Sequence, residues 1–241
     1  MASRLIRLTV LLAAVMWVCA PGWSAEEKKD APKADRWEST IQKFEENDKK
    51  TPPPPNPILL VGSSTFAMWG AKAVEAMKPL LVINRGFGGS TLADVLRYLD
   101  RVVIAYRPRV VVLYEGDNDL ASGKKPAALL EDFKTFVERV RKELPKARLF
   151  ICSIKPSPSR AKIWPQAQEA NRLVAEFCKT QQGVEFVDTA TPMLDADGKP
   201  REELFLKDML HMNTEGYKIW TAILKPLLEK ADKETAGDAK P

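Results

Sequence analysis

Short apolar runs alternate with amphipathic stretches between residues 58 and 230. Five runs rich in Val, Ile and Leu predict β-strands at Ile58–Val61, Leu80–Ile83, Val110–Tyr114, Arg148–Cys152 and Val184–Val187. Apolar residues at helical spacing predict helices over about 71–77, 92–106, 126–143, 164–181 and 213–229. Strands that are apolar throughout and separated by helices indicate a parallel sheet covered on both faces. The pattern therefore predicts an α/β fold with three layers (α/β/α) in a single domain.

The segment before this pattern predicts export. Arg4 and Arg7 precede an apolar run, Leu8–Ala20, and small residues follow it, so residues 1–25 are predicted to be a signal peptide. The protein is then expected to be secreted or periplasmic. The run is shorter than the ~20 residues of a membrane span, which disfavours an uncleaved anchor. The residues before Cys19 are large, which disfavours a lipid-modified cysteine.

Composition sets the remaining domain boundaries. Residues 26–56 are predicted to be a linker, charged at first and then proline-rich, with a loose helical pattern over Trp37–Asp48 that favours a short helix. The main folded domain is expected at residues 57–230. Residues 231–241 are small and charged and are predicted to form a flexible tail.

Charge and cysteine content exclude several classes of protein. The formal net charge of +5 is mild and the lysines are mixed with acids, so no nucleic-acid partner is expected. After signal cleavage, no stable membrane span is expected either. Cys152 and Cys178 would remain; one disulfide is possible, but two buried free thiols fit their apolar surroundings better. The chain has one histidine, and its spacing to the cysteines does not match a zinc site, so no metal is expected.

Glycines and polar residues follow several of the predicted strands. In an open parallel sheet, ligands bind outside the carboxyl ends of the strands. Glycines and polar residues in these positions are expected of a binding or catalytic site and are not required for packing. They occur at Gly62–Ser64, Asn84–Ser90, Glu115–Asp119 and Ser153–Ser157.

One serine and the single histidine indicate nucleophilic catalysis. Ser64 follows the first strand at a predicted helix start, where free backbone N–H groups favour negative charge. A serine hydroxyl needs an adjacent base, and a histidine base must here be His211. Asp208 lies three residues earlier and can orient the imidazole. The alternatives are that Ser64 is only a helix N-cap and that the histidine is structural.

Gly89 and the Asn118 side chain, with the Ser64 backbone N–H, are the predicted oxyanion donors. A glycine can equally serve a turn with positive φ, and Asn118 can belong to a polar capping turn. Gly86-x-Gly88 begins like a dinucleotide-binding loop, but Thr91 stands at the third glycine position. The Gly-x-Ser-x-Gly elbow is absent around Ser64, which disfavours the α/β-hydrolase fold.

In order along the chain, these residues resemble the four sequence blocks of the SGNH (GDSL-like) hydrolases. The matching stretches are Gly62-Ser63-Ser64, Asn84 to Gly89, Gly116-Asp-Asn118-Asp119 and Asp208-x-x-His211. Ser63 stands where most members have aspartate. The resemblance implies a flavodoxin-like sheet of about five parallel strands and ester hydrolysis without metal or organic cofactor. It implies that Ser64 is the nucleophile, His211 the base and Asp208 its partner, with Ser64, Gly89 and Asn118 forming the oxyanion hole.

The resemblance leaves the substrate open among small-molecule and carbohydrate esters. The expected function is an exported serine esterase acting on short-acyl or acetyl esters, including those on carbohydrates. The alternatives are an acyltransferase to a sugar that uses the same triad, and a non-catalytic carbohydrate-binding relative. The second is disfavoured because every catalytic position is filled.

The loop from Ser153 to Arg160, with Trp164, either lines the site or is a plain surface loop. Asp195–Gly198 is predicted to be a turn and not a calcium loop.

Overall fold

The structure is a computed structural model that describes residues 35–237. The predicted signal peptide, the first part of the charged linker and residues 238–241 lie outside the described residues. The strands are β1 (Ile58–Gly62), β2 (Val82–Gly86), β3 (Val110–Tyr114), β4 (Arg148–Cys152) and β5 (Val184–Val187). The helices are α1 (Glu38–Lys50), α2 (Ser64–Ala76), α3 (Leu92–Val102), α4 (Asp117–Ala121), α5 (Pro126–Glu143), α6 (Trp164–Lys179) and α7 (Thr214–Gly237).

The five strands form one parallel sheet in the order β2-β1-β3-β4-β5. Alternate residues of β1 point to opposite faces, as the two-residue period of a strand requires. Leu59 and Val61 face a core that contains residues of α1, α3, α5 and α6, whereas Ile58 and Leu60 face a core with α2 and α7. The α/β prediction, with three layers and five parallel strands, is confirmed.

The second strand and the first helix after Ser64 differ most clearly from their predicted bounds. The second strand was expected at Leu80–Ile83, but β2 extends through Asn84 to Gly86. β2 is an edge strand, and the Asn84 amide donates to the carbonyl oxygens of Phe66 and Gly70, so polar residues are tolerated there. Helix α2 begins at Ser64, earlier than expected. Gly70 lies inside it with φ 54° and ψ −137°, and this kink interrupts the helical spacing of the apolar residues, so the sequence pattern did not reveal the first part of the helix.

The ends of the described chain are more ordered than their composition suggests. Within the expected linker, α1 packs on the domain: Ile41 is fully buried, and Glu38 and Glu45 pair with Arg101 of α3. Helix α7 continues through Pro226 to Gly237, beyond the expected start of the tail at Ala231. In residues 35–237 we find no helix with the length and apolar character needed to cross a bilayer.

The two described cysteines are free and buried. Cys152 belongs to the core on the α2–α7 face of the sheet, and Cys178 to the core on the opposite face. Burial raises the pKa of the Cys178 thiol to about 12 and raises that of Cys152 as well. The sheet lies between these thiols, so they are core side chains and not a disulfide pair.

Candidate active site

The junction between β1 and α2 presents Ser64. Gly62 has φ 141°, and a Cβ at this position would lie 1.9 Å from the Tyr114 carbonyl oxygen, so the turn requires glycine. Ser63 is the N-cap residue, although its buried hydroxyl makes no capping hydrogen bond. Ser64 is thus the first helical residue and not the cap. Its hydroxyl is partly exposed and has no hydrogen-bond partner within the described chain.

The loop after β2 runs past this serine. Gly86 lies so close to α2 that a Cβ would be 2.4 Å from the Ala67 nitrogen. A Cβ on Gly88 would lie 3.8 Å from Ser64 Cβ. Gly89 has φ +80°, the left-handed conformation that glycine adopts readily. Among residues 35–237, no acceptor is hydrogen-bonded to the backbone N–H of Gly89 or to that of Ser64.

Asn118, in the short helix α4 after β3, lies across from this loop. Its Nδ2 donates to the Ser90 carbonyl oxygen at 2.8 Å, and its Oδ1 accepts from Arg160 Nη2 at 2.7 Å. A carbonyl oxygen only accepts and a guanidinium only donates, so these contacts assign the amide orientation. The second Nδ2 hydrogen has no partner in the described chain, so Asn118 offers a third free donor after β3, the strand that neighbours β1 and its Ser64.

Buried acids support the loops that carry these donors. Ser90 Oγ donates to Glu115 Oε1 at 2.6 Å, and both residues are fully buried. Burial raises the pKa of Glu115 well above its usual range, which favours the neutral form of this carboxyl group. Asp119 Oδ2 accepts from the Leu92 backbone nitrogen at 3.1 Å and its Oδ1 pairs with Lys124 at the same distance. Asp119 therefore links α4 to the start of α3.

Asp208 and His211 form a hydrogen-bonded pair before α7. His211 Nδ1 lies 2.6 Å from Asp208 Oδ2, while Asp208 Oδ1 accepts from the backbone nitrogens of Leu210 and His211 at 3.0 Å each. The hydrogen bond from the imidazole lowers the pKa of Asp208 to about 2. Asp208 thus remains ionised at any ordinary assay pH. With Nδ1 bound to the carboxylate, Nε2 is the nitrogen available for a substrate or a nucleophile.

Contacts on both sides hold the His211 loop at the end of the sheet that carries Ser64. Tyr217, at the start of α7, donates to the carbonyl oxygen of Thr65 at 2.8 Å and stacks on Trp69 with ring centroids 5.0 Å apart. The Ser159 backbone nitrogen donates to the Met209 carbonyl oxygen at 3.0 Å. Ser64 Oγ and the His211 imidazole are not hydrogen-bonded to each other.

A sequence profile of the GDSL-like lipase/acylhydrolase family matches residues 55–219. The chain belongs to this family. The matched region contains the loops described above, from the β1–α2 junction to the start of α7. The family assignment and the esterases among its relatives identify the protein as a carboxylic ester hydrolase.

Two curated relatives and one solved structure show how far the similarity extends. The human platelet-activating factor acetylhydrolase IB subunit alpha2 is 26% identical over 204 residues, covering 81% of this chain and 83% of the relative. Esterase TesA of Pseudomonas aeruginosa is 27% identical over 161 residues, covering 58% and 77%. A GDSL-like lipase from Bacteroides thetaiotaomicron superposes with a TM-score of 0.68 at 22% identity, covering 80% of this chain and 98% of that one.

An apolar groove of about 360 Å³ lies between α2 and α7 of this esterase. Met68 and Leu206 line it and are 47% and 39% exposed. Met209, beside His211, is also exposed. Sequence reasoning did not select these residues, because isolated apolar positions in a helix or loop have no distinguishing pattern. They place apolar surface close to the Asp208–His211 pair.

Other polar residues considered from the sequence have structural roles. Asp195 Oδ1 accepts from the backbone nitrogens of Asp197 and Lys199, as expected for a turn. Asn213 Oδ1 accepts from Glu215 and Gly216 nitrogens and so caps α7. Within the described residues, no three His, Cys, Asp or Glu side chains are grouped to hold a metal ion.

Proposed function

We propose that the protein is an exported serine esterase for short-acyl or acetyl esters, including those on carbohydrates. In this proposal Ser64 is the nucleophile, His211 the base and Asp208 the carboxylate that orients it. The N–H groups of Ser64 and Gly89 and the side-chain amide of Asn118 form the oxyanion hole. The observation that carries the proposal is that the Ser64 hydroxyl and three N–H donors, at the same end of the sheet, have no hydrogen-bond partner among residues 35–237.

The reaction proceeds in two steps. Ser64 Oγ attacks the ester carbonyl carbon while His211 Nε2 takes the hydroxyl proton, and the carbonyl oxygen becomes an oxyanion held by the three donors. The intermediate collapses, the C–O bond to the alcohol breaks, and His211 returns the proton to the leaving alcohol. Water then attacks the acyl carbon while His211 takes one of its protons. The bond from the acyl carbon to Ser64 Oγ breaks, the carboxylic acid is released, and His211 returns the proton to Ser64 Oγ. The ionised Asp208 stabilises the imidazolium formed in each step.

Three observations support a short acyl group and an exported enzyme. The human relative, 26% identical, is named an acetylhydrolase. The chain has no long hydrophobic insert that would serve as a lid over a fatty acyl chain. Export is supported by the positive and apolar pattern of residues 1–25, and it would bring the enzyme to acetylated polysaccharide outside the cytoplasm.

The triad is tested by alanine variants assayed on p-nitrophenyl acetate. Ser64→Ala and His211→Ala should each reduce kcat by about 10⁵–10⁶-fold, because the triad acts as a unit. Ser63→Ala is the matched control: its hydroxyl is adjacent, buried and unpartnered, so activity should be retained. Circular dichroism should show folded protein in all three. Full activity of Ser64→Ala or His211→Ala would contradict the mechanism.

The substrate class is tested with a series of p-nitrophenyl esters of increasing acyl length and with acetylated xylo-oligosaccharides, using protein that lacks residues 1–25. We expect kcat/KM to be highest for acetate and to fall as the acyl chain lengthens, with acetate released from the oligosaccharide. A maximum at eight or more carbons would contradict the short-acyl proposal and leave the triad unaffected.

A further inference from the structure

Arg160 contacts Asn118 on the side away from Ser90. Its Nη2 lies 2.7 Å from Asn118 Oδ1. Arg160 belongs to the 3-10 segment Pro158–Ile163 between β4 and α6, so it reaches Asn118 from another strand end. We propose that Arg160 is a positioning residue that fixes the Asn118 amide so that one N–H points at the oxyanion. The proposal rests on the oxyanion role of Asn118 given above.

The amide requires such a partner because the χ2 torsion of asparagine is soft and nearly two-fold. The Ser90 carbonyl oxygen holds one Nδ2 hydrogen, and Arg160 holds the oxygen. Both contacts together define the plane of the amide, so that its second Nδ2 hydrogen has one direction. A hydrogen bond from a cation is shorter and stronger than a neutral one, and it polarises the amide so that its N–H groups donate more strongly.

Arg160 is itself held by a buried carboxylate. Its Nη1 lies 3.1 Å from Asp117 Oδ2, and the Asp117 side chain is only 4% exposed. Lys155 Nζ, also buried, is 3.7 Å from the same oxygen. Asp117 precedes Asn118 in α4, so one short helix carries both the oxyanion donor and the anchor of its positioning residue.

The contacts of Arg160 distinguish positioning from substrate binding. The guanidinium is directed to Asn118 and Asp117, and the Arg160 side chain is 21% exposed. A group that acts through the oxyanion donor affects the transition state more than the bound substrate, so kcat falls while KM is nearly unchanged. A group that binds the substrate would raise KM.

The first test compares Arg160→Gln with Arg139→Gln on p-nitrophenyl acetate. Loss of a whole oxyanion donor costs about 10²–10³-fold in kcat, so a misoriented donor in Arg160→Gln should cost about 10–100-fold, with KM changed less than about threefold. Arg139 of α5 is the matched control. Like Arg160 it contacts one amide oxygen, here the backbone carbonyl oxygen of Leu96, and one carboxylate, Asp100. Its variant should keep wild-type kcat. Arg160→Lys should recover part of the loss, because lysine keeps the charge without the planar fork.

The second test is a double-mutant cycle with Asn118→Ala. If Arg160 acts through Asn118, Arg160→Gln should change kcat by less than about threefold in the Asn118→Ala background. An equal loss in both backgrounds, or a loss confined to KM, would overturn the positioning role. The positioning role would also be overturned if Arg160→Gln had wild-type kcat while Asn118→Ala was impaired. That result would leave the proposed function intact. Wild-type kcat in Asn118→Ala would instead overturn the proposed oxyanion hole. If Arg160→Gln melts below the assay temperature, the same cycle is run with Arg160→Lys.

Discussion

The two halves of the candidate site are held in different ways. On the proposed oxyanion side, Asn118 is hydrogen-bonded to Ser90 and Arg160. Ser90 is in turn hydrogen-bonded to the buried Glu115, and Arg160 forms an ion pair with the buried Asp117. On the base side, the Asp208 side chain is 48% exposed and its hydrogen bonds all fall within the turn that ends at His211. Buried groups therefore position the proposed donors, whereas a surface turn positions the proposed base.

This difference matches what each half does in the proposed mechanism. Oxyanion donors act best when they are fixed before the charge develops, since no reorganisation is then needed during the reaction. The base must gain and lose protons in every turnover, and its carboxylate must stay charged. An exposed carboxylate satisfies that need, because burial would penalise its ionised form.

Among substitutions that distinguish the two halves of the site, the largest effect is expected for Asp208→Asn. Asparagine keeps an oxygen that accepts from the Leu210 and His211 nitrogens, so the turn is preserved. It lacks the second carboxylate oxygen that holds Nδ1, so the imidazole loses its orientation and its stabilising charge. We expect kcat to fall by about 10³–10⁴-fold, as for removal of the carboxylate in other triads, with an unchanged melting temperature.

Asp188→Asn is the matched control for this variant. Asp188 Oδ1 accepts from the nitrogens two and three residues ahead, Ala190 and Thr191, in the same arrangement but without a histidine. Its variant should retain full activity. If Asp208→Asn keeps more than about a tenth of wild-type kcat, the surface turn is not a catalytic half of the site.

For the buried half of the site, Glu115→Gln is expected to have a smaller effect, which is on the stability of the protein and not on kcat. Burial raises the pKa of Glu115, so the folded state holds a proton that the unfolded state releases above about pH 4.3. The stability that Glu115 contributes is therefore present at low pH and decreases as pH rises toward its folded pKa. Glutamine does not titrate, and it keeps an oxygen that accepts from Ser90.

The measurement is the melting temperature of both proteins from pH 4.5 to 8.5. The melting temperature of the variant should rise relative to that of the wild type as pH increases. We expect kcat to change by less than about threefold, because the Ser90 contact is kept. A difference that stays constant with pH would show that Glu115 is not protonated in the folded enzyme, and would remove the contrast with the ionised Asp208.

Most of the fold can be predicted from the apolar pattern. The predicted bounds are wrong near Gly70 and in the edge strand β2. β3, β4 and β5 have the bounds expected from their apolar runs. The expected second strand was wrong because β2 is an edge strand whose polar residues are satisfied by α2. The start of α2 was missed because Gly70 breaks its periodicity.

The motif residues of the site can be selected from the sequence, but their supporting contacts cannot. Ser64, Gly89, Asn118 and the Asp208–His211 pair carry recognisable residue types at strand ends. The hydrogen bond from Arg160 to Asn118 joins residues of two loops with no periodic relation. It depends on the conformation of both loops, which only the folded chain defines.

The single histidine has a practical consequence for experiments in solution. A preparation without a polyhistidine tag contains one imidazole, so its NMR resonances need no assignment by mutagenesis. Their chemical shifts would follow the protonation of the proposed base directly during titration, inhibitor binding or acylation. If His211 is that base, one equivalent of an imidazole-specific reagent would inactivate the enzyme, and the loss of activity would count active sites.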